Sequence, residues 1–207
     1  ASALQPDSAE TSADVAARLR TFNAGRQMIA YVERLGPPSR LPIPLLLQCA
    51  AQFSYLNLQG EAHRYLKEAL AADPDFPPTL VAMAQVLVYL GRGDEARGLL
   101  RKALSRAPQI PEIYGLAGQL GKQIDDPGPY IAAAERLMGN KAQPDLQRAK
   151  LAFGLHHLHD RQGDFDRAFG MLEQGCKLKR KTLNYSGEDA RRMFDGLKSL
   201  PARNFLQ

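Results

Sequence analysis

The chain has 207 residues, of which 44% are hydrophobic and 24% are charged, and its formal net charge is +5. This composition is typical of a globular protein with an apolar core and excludes a low-complexity chain. No apolar run reaches the roughly 18 residues that a membrane-spanning helix needs. Residues 1–11 lack the basic start and apolar centre of a signal peptide. We therefore expect a disordered lead over 1–11, no membrane association and a cytoplasmic location.

Cysteine and charge placement narrow the function classes further. Cys49 and Cys176 lie in apolar helical stretches, which favours two small buried side chains over a disulfide or a metal pair. Positive charge is concentrated at 177–181 and at Arg191 and Arg192. Such a cluster can attract nucleic acid or an acidic partner, but cations also stabilise a helix end. We expect the second role and do not expect nucleic acid to be the ligand.

The first predicted pair of helices spans residues 12–35. Ser12 or Asp14 can cap its start, Gly25 allows a break between the helices, and the segment 36–39 ends the second. Apolar residues recur at helical spacing on both helices, at Val15, Leu19, Phe22, Met28, Ile29, Val32 and Leu35. The pair has the size of a degenerate first repeat.

The next two pairs, predicted over 43–76 and 77–110, share one pattern of small residues. Ala62, Leu66, Ala69 and Pro74 recur at one constant offset as Ala96, Leu100, Ala103 and Pro108. Short side chains let antiparallel helices approach closely, leucines fill the space between units, and proline ends each second helix. A helix–turn–helix period of about 34 residues resembles the tetratricopeptide repeat. The resemblance implies an all-α right-handed superhelix, an α-α solenoid that binds a protein or peptide.

Two further pairs and a last helix complete the predicted architecture. The fourth pair starts at Pro111, is interrupted over 125–129 and resumes over 130–138. The fifth comprises 149–162, a turn at Gly163 and a second helix in which Ala168 and Gly175 take the alanine positions. The separation of Gly91 and Gly163 slightly exceeds two periods, so the fourth unit carries a short insertion. We expect four to five hairpins over 12–182 and a capping or linker helix over 187–200.

The C-terminal end carries a second, narrower resemblance. Gly163, Asp164, Phe165, Asp166, Arg167, Ala168 and Phe169, followed by Leu178, Lys179, Arg180, Tyr185, Phe194 and Asp195, are similar to the junction between the last repeat and the catalytic domain of bacterial tetratricopeptide-repeat sulfotransferases. His156 and His157 depart from that pattern, because small and lysine-like residues are common there. The resemblance implies that this chain is the N-terminal repeat domain of a sulfotransferase-like protein. The alternative is a free-standing adaptor or chaperone-type scaffold.

The enzyme that this resemblance implies needs a phosphate-binding loop after a strand, because backbone amides must hold the phosphates of its sulfate donor. The sequence has neither a Gly-rich phosphate loop nor a strand pattern. We therefore expect this chain to be no enzyme, with no catalytic residue and no cofactor. His156, His157 and His159 beside Asp160 could suggest a metal, but the repeat register assigns them to helix packing and to the groove, and we expect no metal site.

The first helix of each pair should line the concave groove, and its register nominates the following residues. They are Leu47, Ala51, Ser54, Tyr55, Val81, Gln85, Val88, Tyr89, Gln119, Lys122, Gln123, Phe153, His157, Asp160 and Arg161. The Lys and Asn that clamp a peptide carboxylate in similar repeat proteins are replaced in the early units by Leu47, Ala51, Val81 and Gln85. An extended or helical apolar segment is therefore the expected ligand, unless the protein's own segments fill the groove.

Overall fold

The computed structural model describes residues 9–199, and its side chains from Thr11 onward. This part of the chain forms eleven α-helices and two short 3₁₀ turns, at Pro38–Arg40 and Gly121–Gln123, and it contains no strand. The helices are α1 (Ala9–Thr21), α2 (Gly25–Arg34), α3 (Ile43–Tyr55), α4 (Gln59–Ala72), α5 (Pro77–Tyr89), α6 (Gly93–Arg106), α7 (Glu112–Leu120), α8 (Gly128–Gly139), α9 (Asp145–Gln162), α10 (Phe165–Lys181) and α11 (Gly187–Lys198).

The helices α1 to α10 pair into five antiparallel hairpins that stack in chain order. The first helices of the hairpins contact one another in succession, α1 with α3, α3 with α5, α5 with α7 and α7 with α9. We call these the inner helices, and we call their partners α2, α4, α6, α8 and α10 the outer helices. One apolar core runs through all five hairpins. The predicted all-α solenoid of helical hairpins is confirmed.

A left-handed residue recurs in the turn of four hairpins. Asn23, Asn57, Gly91 and Gly163 have φ angles of 52°, 59°, 73° and 78°. Asn23 and Asn57, and likewise Asn57 and Gly91, are separated by one repeat period, whereas Gly91 and Gly163 are separated by two periods plus the insertion. Asparagine and glycine are the residues that adopt this conformation most readily, which explains why they occur there. Asn23 therefore marks the first hairpin as a unit of the same kind.

The predicted small-residue seam lies between the two helices of each regular hairpin. Ala62, Ala69, Ala96 and Ala103 are all fully buried, and Leu66 and Leu100 fill the adjoining space. In the fifth hairpin Gly175 replaces the second alanine, because a Cβ there would lie 2.8 Å from Cε1 of Phe153. Ala and Gly occur at this seam because nothing larger fits between the helices.

Three predictions about individual side chains need correction. Helix α1 begins at Ala9, so Ser12 is a buried helical residue rather than a cap, and residues 1–8 of the predicted lead lie outside the described residues. Phe22, predicted on an apolar face, is 81% exposed because it follows the last residue of α1. Cys176, predicted to be buried, is exposed on α10. Cys49 is buried as predicted, and burial raises the pKa of its thiol to about 11.

The irregular fourth unit has a local cause. Helix α7 has only 9 residues and ends where Gly121 takes a φ of 57° and opens the turn Gly121–Gln123. Helix α9 has 18 residues against 13 in α5, and its additional first turn from Asp145 accommodates the insertion. None of the helices within 9–199 has the length and apolarity needed to span a bilayer.

Ion pairs join consecutive outer helices. Asp75, after α4, accepts from Nζ of Lys102 at 2.6 Å and from Arg106 of α6 at 2.8 Å. Arg97 of α6 pairs in the same way with Asp125, after α7, at 2.8 Å. The hydrogen bond from Lys102, reinforced by the charge of Arg106, holds the pKa of Asp75 below its ordinary value. These contacts tie neighbouring units together at the surface.

Candidate functional site

The groove formed by the inner helices contains two cavities that meet at Gln85. The first, of about 490 Å³, is lined by Ala51, Ser54, Tyr55, Asn57, Gln59, Gln85 and Tyr89. The second, of about 260 Å³, is lined by Gln85, Pro111, Glu112, Gly115, Leu116, Gln119, Lys150, Phe153, Gly154 and His157. The two cavities lie along α3, α5, α7 and α9 and have Gln85 in common.

The first cavity combines two exposed rings with amide and hydroxyl groups. Tyr55 and Tyr89 are 74% and 53% exposed, and the guanidinium of Arg20 lies over the Tyr55 ring, 4.9 Å from its centroid. The hydroxyl of Ser54 donates to Oε1 of Gln59 at 3.2 Å, and Nε2 of Gln85 donates to the Tyr89 hydroxyl at 3.1 Å. These bonds fix the orientation of the polar wall. Among the described side chains that line this first cavity, none is Asp, Glu, Lys or Arg.

The second cavity is floored by a close contact between α7 and α9. A Cβ at Gly154 would lie 2.7 Å from Cβ of Tyr114, so only glycine permits this approach. Glu112 and Lys150 form an ion pair of 2.6 Å at its edge and neutralise each other. Phe153 supplies a half-buried ring. Partial burial, and after it the charge of the neighbouring His156, lowers the pKa of His157 below its ordinary value, which favours the neutral ring.

The polar groups of the groove follow the repeat. Gln85, Gln119 and His157 occupy equivalent positions of α5, α7 and α9, because one period separates the first two and one period plus the insertion separates the last two. The equivalent residue of α3 is Ala51, which lines the first cavity. One hydrogen-bonding side chain is thus presented by each of three successive inner helices.

The structure brings most of the nominated groove residues to these two cavities. Ala51, Ser54, Tyr55, Gln85 and Tyr89 line the first cavity, and Gln85, Gln119, Phe153 and His157 line the second. The other nominated residues are placed differently.

Leu47 and Val88 are half-buried against the core, and Val81 is only 7% exposed, so these three offer little surface to a ligand. Lys122 and Arg161 line a separate cavity of about 280 Å³ beside Gly121. Lys122 lies there because the chain leaves the helical path at Gly121, directly after α7 ends. Arg161 lies on α9 and reaches this turn, with Nε 3.0 Å from the position that a Cβ at Gly121 would take.

Gln123 and Asp160 line neither groove cavity. Gln123 ends the turn Gly121–Gln123, where its carbonyl oxygen accepts from Arg97 at 3.0 Å, so it belongs to the contact between units. Asp160 is exposed near the C-terminal end of α9, beyond the reach of the second cavity.

Sequence reasoning missed Asn57, Gln59, Glu112 and Lys150. Asn57 and Gln59 belong to the turn and to the first residue of an outer helix, which the register of the inner helices alone does not reach. Glu112 and Lys150 have the same separation along the chain as Gln119 and His157. Extending the repeat register to the first turn of each inner helix would therefore have identified this pair.

The three histidines of α9 have separate environments. Nδ1 of His156 lies 3.0 Å from the carbonyl oxygen of Ala168, and His159 is buried with Nε2 at 3.7 Å from Glu135. His157 reaches the second cavity. His156 and His159 thus pack between helices while His157 faces the groove. In the part of the chain covered by the structure, no group of three or more His, Cys, Asp or Glu side chains is arranged to hold a metal.

Comparison with known proteins supports the repeat architecture. Residues 60–120 match the family model described as tetratricopeptide repeat. The crystal structure of MamA is similar with a TM-score of 0.59 and 15% identity, covering 83% of this chain and 98% of that one. MamA from residue 41 onward of Desulfovibrio magneticus RS-1 is similar with a TM-score of 0.60 and 16% identity, covering 85% and 97%. At these identities the likeness concerns the fold.

A curated relative is considerably longer than this chain. An uncharacterized protein of Aquifex aeolicus (strain VF5) is 24% identical over 212 residues, which cover 84% of this chain and 28% of the relative. The chain thus spans about 28% of the length of the curated relative that it matches. The family match and the structural similarity concern the repeats, and the sulfotransferase resemblance of the C-terminal end stays a hypothesis.

Proposed function

We propose that this chain is a protein-interaction scaffold that holds a peptide segment of a partner in its groove. The observation that carries the proposal is the pair of adjoining cavities along α3, α5, α7 and α9, which share Gln85 and expose the rings of Tyr55 and Tyr89. A concave site with apolar rings and a few convergent polar groups is the usual form of a binding site. The fold, which stacks equivalent helices beside one another, suits an elongated ligand.

The groove chemistry favours an extended and uncharged segment. Gln85, Gln119 and His157 can bond main-chain groups, which are free in an extended peptide but already paired within a helix. Packed helices lie about 8–10 Å apart and an extended chain rises about 3.3 Å per residue, so roughly three ligand residues separate successive polar groups. The first cavity has no ionic side chain among its described lining, and Glu112 and Lys150 neutralise each other in the second, which favours an uncharged segment.

The proposal is tested by placing a photo-crosslinking phenylalanine analogue at Tyr89. We expect it to crosslink to a defined peptide segment of a partner, identified by mass spectrometry. The matched control carries the analogue at Lys67, which is exposed on the outer helix α4. Equal labelling at both positions, or labelling at Lys67 alone, would move the binding surface away from the groove.

We further propose that the scaffold belongs to a sulfotransferase-like protein and positions a partner for chemistry done by a linked domain. The support is the run from Gly163 to Phe169 with the basic helix end at 178–180, together with the greater length of the curated relative. The test is the sequence encoded beyond Gln207. A strand followed by a phosphate-binding loop would support the linkage, and a stop codon there would favour the free-standing adaptor.

A further inference from the structure

Two tyrosine rings of the groove are equivalent by the repeat and are open to a ligand. Tyr55 ends α3 and Tyr89 ends α5, one repeat period further along the chain, and both line the first cavity. The guanidinium of Arg20 lies over the Tyr55 ring, 4.9 Å from its centroid, yet the ring stays 74% exposed. Because α3 and α5 are neighbours in the stack, a ligand that crosses both helices meets the same kind of ring on each.

The spacing of the inner helices sets the period that such a ligand needs. Packed helices lie about 8–10 Å apart. In a β-strand one face is presented every second residue, so equivalent contacts recur at roughly 6.6 or 13 Å. A polyproline II helix has three residues per turn and rises about 3.1 Å per residue, so equivalent contacts recur at roughly 9.3 Å. The polyproline II period therefore matches the helix spacing, whereas the β-strand period does not.

The polar groups of the groove supply the donors that a polyproline II ligand needs. The hydroxyl of Tyr89 accepts from Nε2 of Gln85 at 3.1 Å, so its own proton is available to a ligand oxygen. Gln119 and His157 are exposed at the equivalent positions of the next two inner helices, and each side chain carries an N–H group. A polyproline II segment has no internal hydrogen bonds, so its carbonyl oxygens are free and recur on one side at every third residue. One ligand carbonyl can thus accept from each successive helix.

The electrostatics of the groove also fit a proline-rich segment. The described lining of the first cavity has no ionic side chain, and Glu112 and Lys150 neutralise each other across 2.6 Å in the second. Proline has no charge and no backbone N–H, so it presents only acceptors to the donors of the groove. Its fixed φ also sets the bound conformation in advance, which reduces the entropy lost on binding. Aromatic rings are the surfaces on which such segments dock.

We propose that the groove binds a proline-rich segment in the polyproline II conformation, with prolines three residues apart on the rings of Tyr55 and Tyr89. This inference rests on the peptide-binding function proposed above and specifies the class of segment. The carbonyl groups of the segment accept from Gln85, Gln119 and His157 as it continues into the second cavity. The smallest recognised unit is therefore two prolines separated by two other uncharged residues.

Two peptides of identical composition isolate the effect of the period. Each is an acetylated and amidated alanine peptide with three prolines, placed at every third position in one and at every second position in the other. Both carry the same dye, and fluorescence anisotropy measures the Kd of each. We expect the peptide with proline at every third position to bind about tenfold more tightly, because only its prolines reach both rings at once.

Substitutions of the two rings place this binding in the groove. Tyr55→Ala and Tyr89→Ala should each weaken binding of the tighter peptide by about tenfold. Tyr89→Phe keeps the ring and removes the hydroxyl, so its loss should be smaller. The matched control is Tyr185→Ala, since Tyr185 is 58% exposed and, like Tyr55, has a guanidinium over its ring, that of Arg180 at 5.0 Å. This variant should bind as the wild type does, and circular dichroism checks that the helices persist in all four variants.

Three outcomes would overturn the proposal. Equal affinity for the two peptides would mean that the groove does not distinguish the period, and failure of both to bind would exclude the ligand class. Binding that survives both alanine substitutions would place the peptide outside the groove. Crosslinking at Tyr89 judges the proposed function separately. A crosslinked segment without prolines three residues apart would reject this inference and keep peptide binding in the groove, whereas labelling at Lys67 alone would remove both.

Discussion

At the scale of single residues, the function of a side chain here depends on its repeat position more than on its chemical type. Ala96 and Ala103 are fully buried at the helix seam, whereas Ala51 at a groove position is exposed. Likewise Tyr65 is fully buried and packs on Phe53 with ring centroids 5.2 Å apart, but Tyr55 and Tyr89 are open to solvent. Position in the repeat therefore separates residues that maintain the solenoid from residues available to a ligand.

Two substitutions in α6, one at the seam and one on the open surface, should change the free energy of unfolding in opposite directions. Ala96→Leu should lower the free energy of unfolding by about 1–3 kcal/mol, because a larger side chain overpacks a closed interface. Gly98 lies in the same helix with nothing near its Cβ position, so Gly98→Ala should raise stability by up to about 1 kcal/mol through helix propensity. Urea unfolding of both variants tests this. If Ala96→Leu left the free energy of unfolding unchanged, the two helices would be able to move apart at the seam.

Tyr89 gives the corresponding prediction for the groove. Tyr89→Ala should weaken binding of the crosslinked partner peptide by about 1–3 kcal/mol, since exposed aromatic anchors dominate such contacts. Its melting temperature should stay close to that of the wild type, because the ring is 53% exposed. Fluorescence anisotropy with a labelled peptide measures the first quantity and a thermal melt the second. Unchanged affinity would remove Tyr89 from the site.

At the scale of elements, the outer helices are joined by ion pairs at the surface, whereas the inner helices are joined by close packing, with the ion pair of Glu112 and Lys150 at its edge. Asp75 links α4 to α6 through Lys102 and Arg106, whereas Gly154 allows α9 to approach Tyr114 of α7 directly. The outer contacts are exposed and respond to pH, whereas the inner contacts are set by shape. We therefore expect pH-dependent stability to arise from the contacts between outer helices.

Asp75 supplies that prediction. Its carboxyl has an ordinary pKa of 3.8, which the hydrogen bond from Lys102 lowers in the folded chain. A lowered pKa adds stability above the unfolded value, and this stability is lost as the pH falls through the folded value. The stability difference between wild type and Asp75→Asn should therefore be constant at neutral pH and decline as the pH falls below 3.8. Urea titrations across the acid range measure it.

A double-mutant cycle provides the control for Asp75. In a background of Lys102→Ala and Arg106→Ala the partners of the carboxylate are gone, so Asp75→Asn should have little further effect at any pH. A pH dependence that persists in this background would assign the effect to another carboxylate.

At the scale of the whole molecule, the helices of the solenoid differ in how many residues they bury. Helix α5 buries seven residues, α2 buries two, and α11 buries none. In a stack whose units touch only their neighbours, the stability of a unit depends on how many neighbours it has. The central hairpin α5–α6 has one on each side.

Amide hydrogen exchange should report this gradient. We expect α5 and α6 to exchange slowest and α1 and α2 faster, because the first hairpin is covered on one side only in the described chain. Mass spectrometry of peptic peptides resolves the helices. Equal protection along the chain would mean that the five hairpins open as one cooperative unit.

The sequence by itself determined the repeat and therefore the architecture. The recurring spacing of Ala62, Ala69, Ala96 and Ala103 predicted paired helices, because only short side chains let two helices approach so closely. The same register nominated Ser54, Tyr55, Gln85, Tyr89, Gln119, Phe153 and His157 for the groove, and in the structure the first four line one cavity and Gln119, Phe153 and His157 line the other. A periodic chain repeats its contacts, so local spacing carried most of the information on the fold and part of that on the site.

Only the tertiary structure decided what happens where the repeat breaks. The turn at Gly121 moved Lys122 out of the two groove cavities, Arg161 of α9 lines the separate cavity beside that turn, and packing closed Val81 into the core. The exposure of Cys176, Phe165 and Phe169 also depends on a neighbour rather than on their own helix, since equivalent positions of α6 contact the fourth unit. Spacing along a chain assigns a residue to a face, but whether that face is covered depends on which other surfaces reach it.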